Sequence, residues 1–212
     1  EVTVFTVDGE EFDLPFWMIE KCGLLYSLWN GGEQLQVSLT ATELQFALTF
    51  MDMFGKDDYD YDPTHLNIMI HVADTLQLND MVEFCSQEVE RFEKARNNII
   101  SWDEFCIHQK KNDFWIIIDN GIYDITKWIT CYPGTNQCPH PGSTTPLQGY
   151  KKDSTYFFEM YHATNDCYRL MKKYFIGVID PKDISKIPPL PHNPSKEFYE
   201  TLHSFSKSWM ET

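Results

Sequence analysis

One stretch in the middle of the chain constrains the fold more than any other. Phe114-Trp115-Ile116-Ile117-Ile118 is a continuous apolar, β-branched run. Asp119-Asn120-Gly121 follows, and Asn-Gly is a strong hairpin-turn signal. Ile122-Tyr123-Asp124-Ile125 then resumes the strand pattern. A strand that is apolar at every position needs cover on both faces, so other elements must pack over it. The 212 residues, 42% hydrophobic and 15% aromatic, can supply that cover. Helical apolar spacing on either side makes the expected class α+β.

Charge divides the chain. Residues 1–96 hold 19 acids and 5 bases, whereas residues 97–212 hold 13 acids and 12 bases. Nearly all of the net charge of −15 therefore lies in the first part. We expect a domain over 1–96, a second over 97–180, and a proline-rich linker with an amphipathic helix over 181–212. The proline run at 188–191 cannot continue a helix or a central strand. The acidity argues against nucleic acid as a partner, because no basic face can dominate. No apolar run approaches the roughly 20 residues of a membrane span. The start, Glu1-Val2-Thr3-Val4, lacks a basic-then-apolar leader pattern.

In the first part, Val2 to Val7 alternates as a strand, Asp8-Gly9 turns it, and Glu10 to Leu14 returns. Met18, Cys22, Leu25, Leu28 and Trp29 follow helical spacing, and Leu35 to Leu39 reads as a third strand. Thr40 or Thr42 caps a helix with Leu44, Ala47, Leu48, Met51 and Phe54 on one face. An acidic loop over 57–63 and two further helices, near 65–76 and 79–94, complete the order. This pattern, with Leu35 to Leu44 and His71 to Val82, resembles the BTB/POZ superfamily, especially its Skp-type cullin-adaptor branch. The resemblance implies a protein-interaction domain. Its expected partner is a protein, through cullin-type pairing or self-association. The helical arm with which Skp-type adaptors hold F-box partners is lacking.

In the second part, Ser101 and Glu104 form a capping-box pattern ahead of a short helix. His108, Trp115, Asn120-Gly121, Tyr123-Asp124-Ile125-Thr126-Lys127, Pro133-Gly134, Asp153-Ser154-Thr155, Phe158, His162 and Tyr174-Phe175-Ile176-Gly177 follow in order. This run resembles the cytochrome b5 family over about residues 99–180. The resemblance implies a small α+β domain with a haem held between two helix pairs. The usual ligands are one histidine in a His-Pro-Gly-Gly turn and one after the aspartate-threonine helix.

The second ligand position holds His162. At the first, two registers compete. Without a gap the turn reads Tyr132-Pro133-Gly134-Thr135, which places Tyr132 at the ligand position. With eight residues inserted before the turn, His140-Pro141-Gly142-Ser143 takes its place and His140 becomes the ligand. We favour Tyr132, because that register needs one insertion only. A phenolate would favour ferric iron, whereas two imidazoles favour outer-sphere electron transfer. Trp128, Tyr156, Phe157, Phe158, Met160 and Tyr161 are expected to fill the volume of a macrocycle, because cores tolerate little void. No cofactor is therefore the first expectation, and haem b, held by His162 with Tyr132 or His140, is the alternative.

The six cysteines do not form a dense disulfide pattern, so we expect a reducing compartment, cytoplasm or nucleus, or a virion. Cys131 and Cys138 read as free thiols, or as an intraloop disulfide in an oxidising setting. No metal site is expected, since Cys131, Cys138 and His140 lack Cys-x-x-Cys spacing. Phe198, Leu202, Phe205 and Trp209 form one helical stripe expected to dock on its own chain. There is no nucleophile with an adjacent base, no phosphate-cradling loop and no paired carboxylates at metal spacing. Catalytic residues are thus absent from the reading, and the expected protein is a soluble, non-enzymatic scaffold. A soluble electron-carrying b-type cytochrome is the alternative.

Overall fold

The computed structural model describes residues 1–53, 61–130, 132, 137–162 and 164–210, with side chains as far as 205. Two compact units divide it, Glu1–Glu90 and Arg91–Thr212.

The first unit opens with strands β1 (Val2–Phe5) and β2 (Glu11–Leu14), paired antiparallel around the Asp8-Gly9 turn. Helices α1 (Phe16–Lys21) and α2 (Gly23–Leu28) follow where one helix was expected. The break falls at Cys22, whose backbone is extended and whose thiol donates to the Leu76 carbonyl at 3.1 Å. Gly23 permits the approach: a Cβ there would stand 2.7 Å from Gln77 Oε1. Strand β3 (Gln34–Gln36) joins β1 in parallel, giving the sheet order β2-β1-β3. Helix α3 (Ala41–Met53) starts with a reciprocal capping box between Thr40 and Glu43. The Asp8 carboxylate also accepts from the Ala41 N–H at 2.9 Å, tying the hairpin turn to this helix end. Helices α4 (Leu66–Leu76) and α5 (Asn79–Arg96) complete the element order read from the sequence. Most of the acidic loop lies outside the described residues. Asp62, at its end, accepts from Thr64 N–H at 3.0 Å and starts a 3₁₀ turn.

The division at residue 90 falls inside α5, six residues before the expected boundary. Ala95 in the last turn of that helix belongs to the apolar core of the second unit.

The second unit contains β4 (Ile99–Ile100), α6 (Trp102–Ile107), β5 (Gln109–Lys110), β6 (Asp113–Ile118) and β7 (Gly121–Asp124). After them come α7 (Thr126–Ile129), α8 (Thr155–Tyr161), α9 (Asn165–Lys172), β8 (Phe175–Ile179) and α10 (Lys196–Met210). The sheet order is β4-β8-β7-β6-β5, with only β4 and β8 parallel. The β6–β7 turn differs in detail from the Asn-Gly expectation. Asp119 (φ 47°) and Asn120 (φ 66°) supply the two left-handed residues, and Gly121 already pairs with Ile118. A Cβ at Gly121 would press on the Tyr123 hydroxyl at 2.9 Å.

Strand β6 is covered on both faces. Phe114, Ile116 and Ile118 enter one core with Tyr123, Phe175, Tyr168 and Met171. Ile117 enters the other with Ile100, Phe105, Ile122 and Ile179. The tail helix packs on its own chain. Phe198 and Leu202 of α10 are buried in the first of these cores, which also takes in Phe205. The Trp209 side chain lies outside the described residues.

Candidate functional site: an apolar cavity with two facing histidines

A cavity of about 770 Å³ opens between β6, α8, α9 and the loop after α7. That size lies in the upper part of the roughly 300–1,000 Å³ range of cofactor and ligand sites. Its apolar walls include Ile116, Ile118, Trp128, Phe157, Leu170 and Met171. Among the described residues no acidic, lysine or arginine side chain lines it. Four of the aromatic residues expected to fill this space line it instead, and Tyr156 is not among them. Trp128, Phe157, Phe158 and Tyr161 stand around the opening, and Met160 is 53% exposed outside it.

His162 caps the end of α8. Its backbone N–H donates to the Phe158 carbonyl at 3.0 Å, and its Nδ1 lies 3.1 Å from the same oxygen. A carbonyl only accepts, so Nδ1 carries the proton and Nε2 keeps its lone pair. Phe158 also stacks on the ring, 4.4 Å between centres and 15° between planes.

His140 comes from the loop after α7. Its backbone N–H donates to the Trp128 carbonyl at 2.8 Å, and its own carbonyl accepts from Ser143 N–H at 2.7 Å. Gly142 makes room for the ring, since a Cβ there would stand 2.8 Å from His140 Cε1. The His140 Nδ1 atom is buried and has no hydrogen-bond partner. Burial, and then the neighbouring His162, holds His140 below the ordinary imidazole value; burial does the same for His162. Burial thus favours the neutral form of both rings, the form in which imidazole binds a metal, although backbone hydrogen bonds at Ser143 and Phe158 act the other way.

The two rings face each other with centres 6.0 Å apart. A metal ion bonded at about 2 Å to one nitrogen of each ring requires a separation of roughly 6 Å. The residues present fit a metal-centred apolar group such as haem: two imidazoles with ring centres 6.0 Å apart, in a cavity with a largely apolar lining.

The favoured register is not the one the structure adopts. Tyr132 is 56% exposed and does not line the cavity. Its backbone N–H donates to the Gln137 carbonyl at 2.9 Å. The chain then re-enters the site at His140. In this loop Cys138 is disulfide-bonded, contrary to the free-thiol expectation; Cys131 lies outside the described residues. His108 is elsewhere: it stacks on Trp115 at 3.6 Å and pairs with Asp113 at 2.8 Å. Ser154 was missed as a site residue. Its buried hydroxyl lines the cavity without a partner, in space that Gly149 leaves open. Nothing in local spacing marks such a residue. Among the described residues no cluster of three or more metal-binding side chains occurs, and no helix is long and apolar enough to cross a membrane.

Fold and site define a cytochrome b5-like domain: residues 101–180 match the family described as cytochrome b5-like heme/steroid binding domain. The chain is 35% identical over 130 residues to acyl-lipid (8-3)-desaturase B of Dictyostelium discoideum, covering 59% of this chain and 24% of that one. It is 36% identical over 83 residues to cytochrome B5 isoform C of Arabidopsis thaliana, covering 39% and 58%. Among solved structures it is similar to cytochrome b5 of Ostreococcus tauri virus 2, at 30% identity, 37% and 81% coverage and a TM-score of 0.30. The chain thus spans about a quarter of that desaturase and under two thirds of that plant cytochrome.

These findings correct the functional expectation. Several relatives that share sequence with this chain are fatty acid desaturases, which are enzymes, so the non-enzymatic scaffold reading does not stand. The expectation of no cofactor finds no support, since the matching family is described as heme/steroid binding. The family match begins at residue 101 and gives no support to the Skp-type expectation for residues 1–96.

Proposed function

We propose that the Arg91–Thr212 unit binds haem b between His140 and His162 and delivers electrons to a fatty acyl desaturase-type oxidation. The observation that carries this reading is the facing pair of histidines, 6.0 Å apart, in an apolar cavity. Bound there, haem supplies one-electron transfer between ferric and ferrous iron without opening a site for substrate. The chain's own residues hold and insulate. Phe158 orients His162, the Trp128 carbonyl holds His140, and the apolar wall excludes water. Forming one double bond from two methylenes with dioxygen takes two electrons and two protons and yields two waters. The desaturase relatives support this destination for the electrons.

The test is reconstitution of the full chain with hemin, followed by dithionite reduction. A sharp Soret band and split α and β bands are expected. His140→Ala and His162→Ala should each lose them, and Tyr132→Phe should not. A broad high-spin spectrum, or ligation that survives His140→Ala, would overturn the assignment. For destination, residues 91–212 replace the b5 domain of an acyl-lipid desaturase. Unsaturated product should depend on His162.

For the Glu1–Glu90 unit the reading is a protein-docking role through its acidic surface. Phe16, Trp17, Tyr26 and Leu28 stand exposed on the successive helices α1 and α2. Self-association, measured by sedimentation with and without Trp17→Glu, separates a second copy from a different partner.

A further inference from the structure

The segment after residue 180 lies beyond the matched domain, yet its helix reaches the helix that carries His162. Three contacts join α10 to α8. At the start of α10, Ser195 N–H donates to Glu159 Oε1 at 3.0 Å, while Ser195 Oγ accepts from Phe198 N–H and caps the helix. One turn on, Phe198 is buried against Phe158 and Tyr168, with ring centres 6.3 and 6.1 Å away. Further on, His203 Nε2 lies 2.6 Å from Asp119 Oδ2, and the Asp119 N–H donates to Thr155 Oγ1 at 2.8 Å. Thr155 is the first residue of α8.

Helix α8 is thus held at its first residue, in its middle and near its end. The middle contact matters most. Phe158 touches Phe198 on one side and stacks on His162, and its carbonyl holds the His162 backbone and ring. Short helices have little stability of their own, and a seven-residue helix such as α8 depends on what packs on it. Without Phe198, the Phe158 ring gains room to move, and the His162 ring moves with it.

We propose that α10 is a positioning element for His162, with Phe198 as its key residue. It sets how firmly the ring is presented to the cavity and how long a haem is retained. This rests on the histidine-pair reading above, so the experiment separates the two. Full-length Phe198→Ala, Phe198→Leu and Ile179→Ala proteins are compared with wild type. Ile179 sits in the core on the other side of the sheet and serves as a control for loss of stability.

The first readout needs no haem: amide hydrogen exchange of residues 155–162 in apo protein. The second is the rate of hemin transfer to excess apomyoglobin. Phe198→Ala should accelerate both by about tenfold or more, the scale set by loss of a buried ring. Phe198→Leu should restore most of the loss, and Ile179→Ala should leave residues 155–162 and hemin retention near wild type. Equal effects of Phe198→Ala and Ile179→Ala would overturn the positioning role, as would unchanged exchange in Phe198→Ala. Wild type that exchanges as expected but retains no hemin would overturn the cofactor reading and leave α10 without a ligand to position.

Discussion

The backbone N–H of His140 donates to the carbonyl of Trp128 at 2.8 Å, across twelve residues of sequence. This one bond decides which residue faces His162. It returns the chain to the end of α7 after the extra loop, at the point where an unexpanded turn would have stood. Gly142 then lets the His140 ring approach the turn closely.

Gly142→Ala should damage the site without unfolding the domain. The new methyl would stand 2.8 Å from His140 Cε1, and moving the ring costs about 1–3 kcal/mol in overpacking terms. Hemin titration followed at the Soret band should show weaker binding, with far-ultraviolet circular dichroism unchanged. Wild-type affinity in this variant would mean that the ring is not seated against the turn.

Asp153 gives a pH prediction with a definite sign. Burial raises its carboxyl above the usual value, the charge of Asp119 adds to this, and hydrogen bonds from Thr155 oppose it. A carboxyl with a raised folded-state value stabilises the fold below the ordinary value of about 3.9 and loses that contribution as pH rises through the folded value. Asp153→Asn keeps an acceptor for Thr155 and cannot ionise. Its stability relative to wild type should therefore increase from pH 4 to pH 7. Thermal melts that show the same difference at both pH values would contradict this.

The β6–β7 turn predicts an asymmetric response at Asn120. With φ at 66°, a β-branched side chain is strained, and Asn120→Val should cost about 1–2 kcal/mol. Asn120→Gly should be neutral within error, because glycine adopts this backbone freely. Urea denaturation of the two variants checks the pair.

Cys22 and Cys85 should resist alkylation in the native protein. Both are fully buried, and burial, followed by the charge of Glu88, pushes the Cys85 thiol up to about 12. Burial raises Cys22 as well. The thiolate is the reactive form, so iodoacetamide at pH 8 should leave both unmodified until urea is added. Peptide mass spectrometry reads the result, and native labelling at the unfolded rate would show that these cores open freely.

Much of the fold is legible residue by residue. The β6–β7 hairpin follows from an apolar run and a turn signal. The Thr40–Glu43 box and the Ser101 cap are local hydrogen bonds that short patterns encode. The Phe198-Leu202-Phe205 stripe shows that the tail helix needs cover. All of these depend on neighbours within a turn or a hairpin of one another. His162 is found by another route, through the resemblance of the residues around it to the cytochrome b5 family.

The first histidine is of a different kind. Tyr132 and His140 both precede Pro-Gly, and sequence continuity favours Tyr132, which does not line the cavity. The choice depends on closing a loop onto Trp128 and on whether the aromatic residues near α8 fill or line the space behind it. Those outcomes belong to packing among distant segments: β6, α8, α9 and α10. The sequence by itself determined the elements and their caps, because those rest on local periodicity and hydrogen bonding, and its family resemblance pointed to His162. Only the tertiary structure decided the second histidine, the open cavity and the role of α10, because each is settled by which distant side chains compete for the same volume.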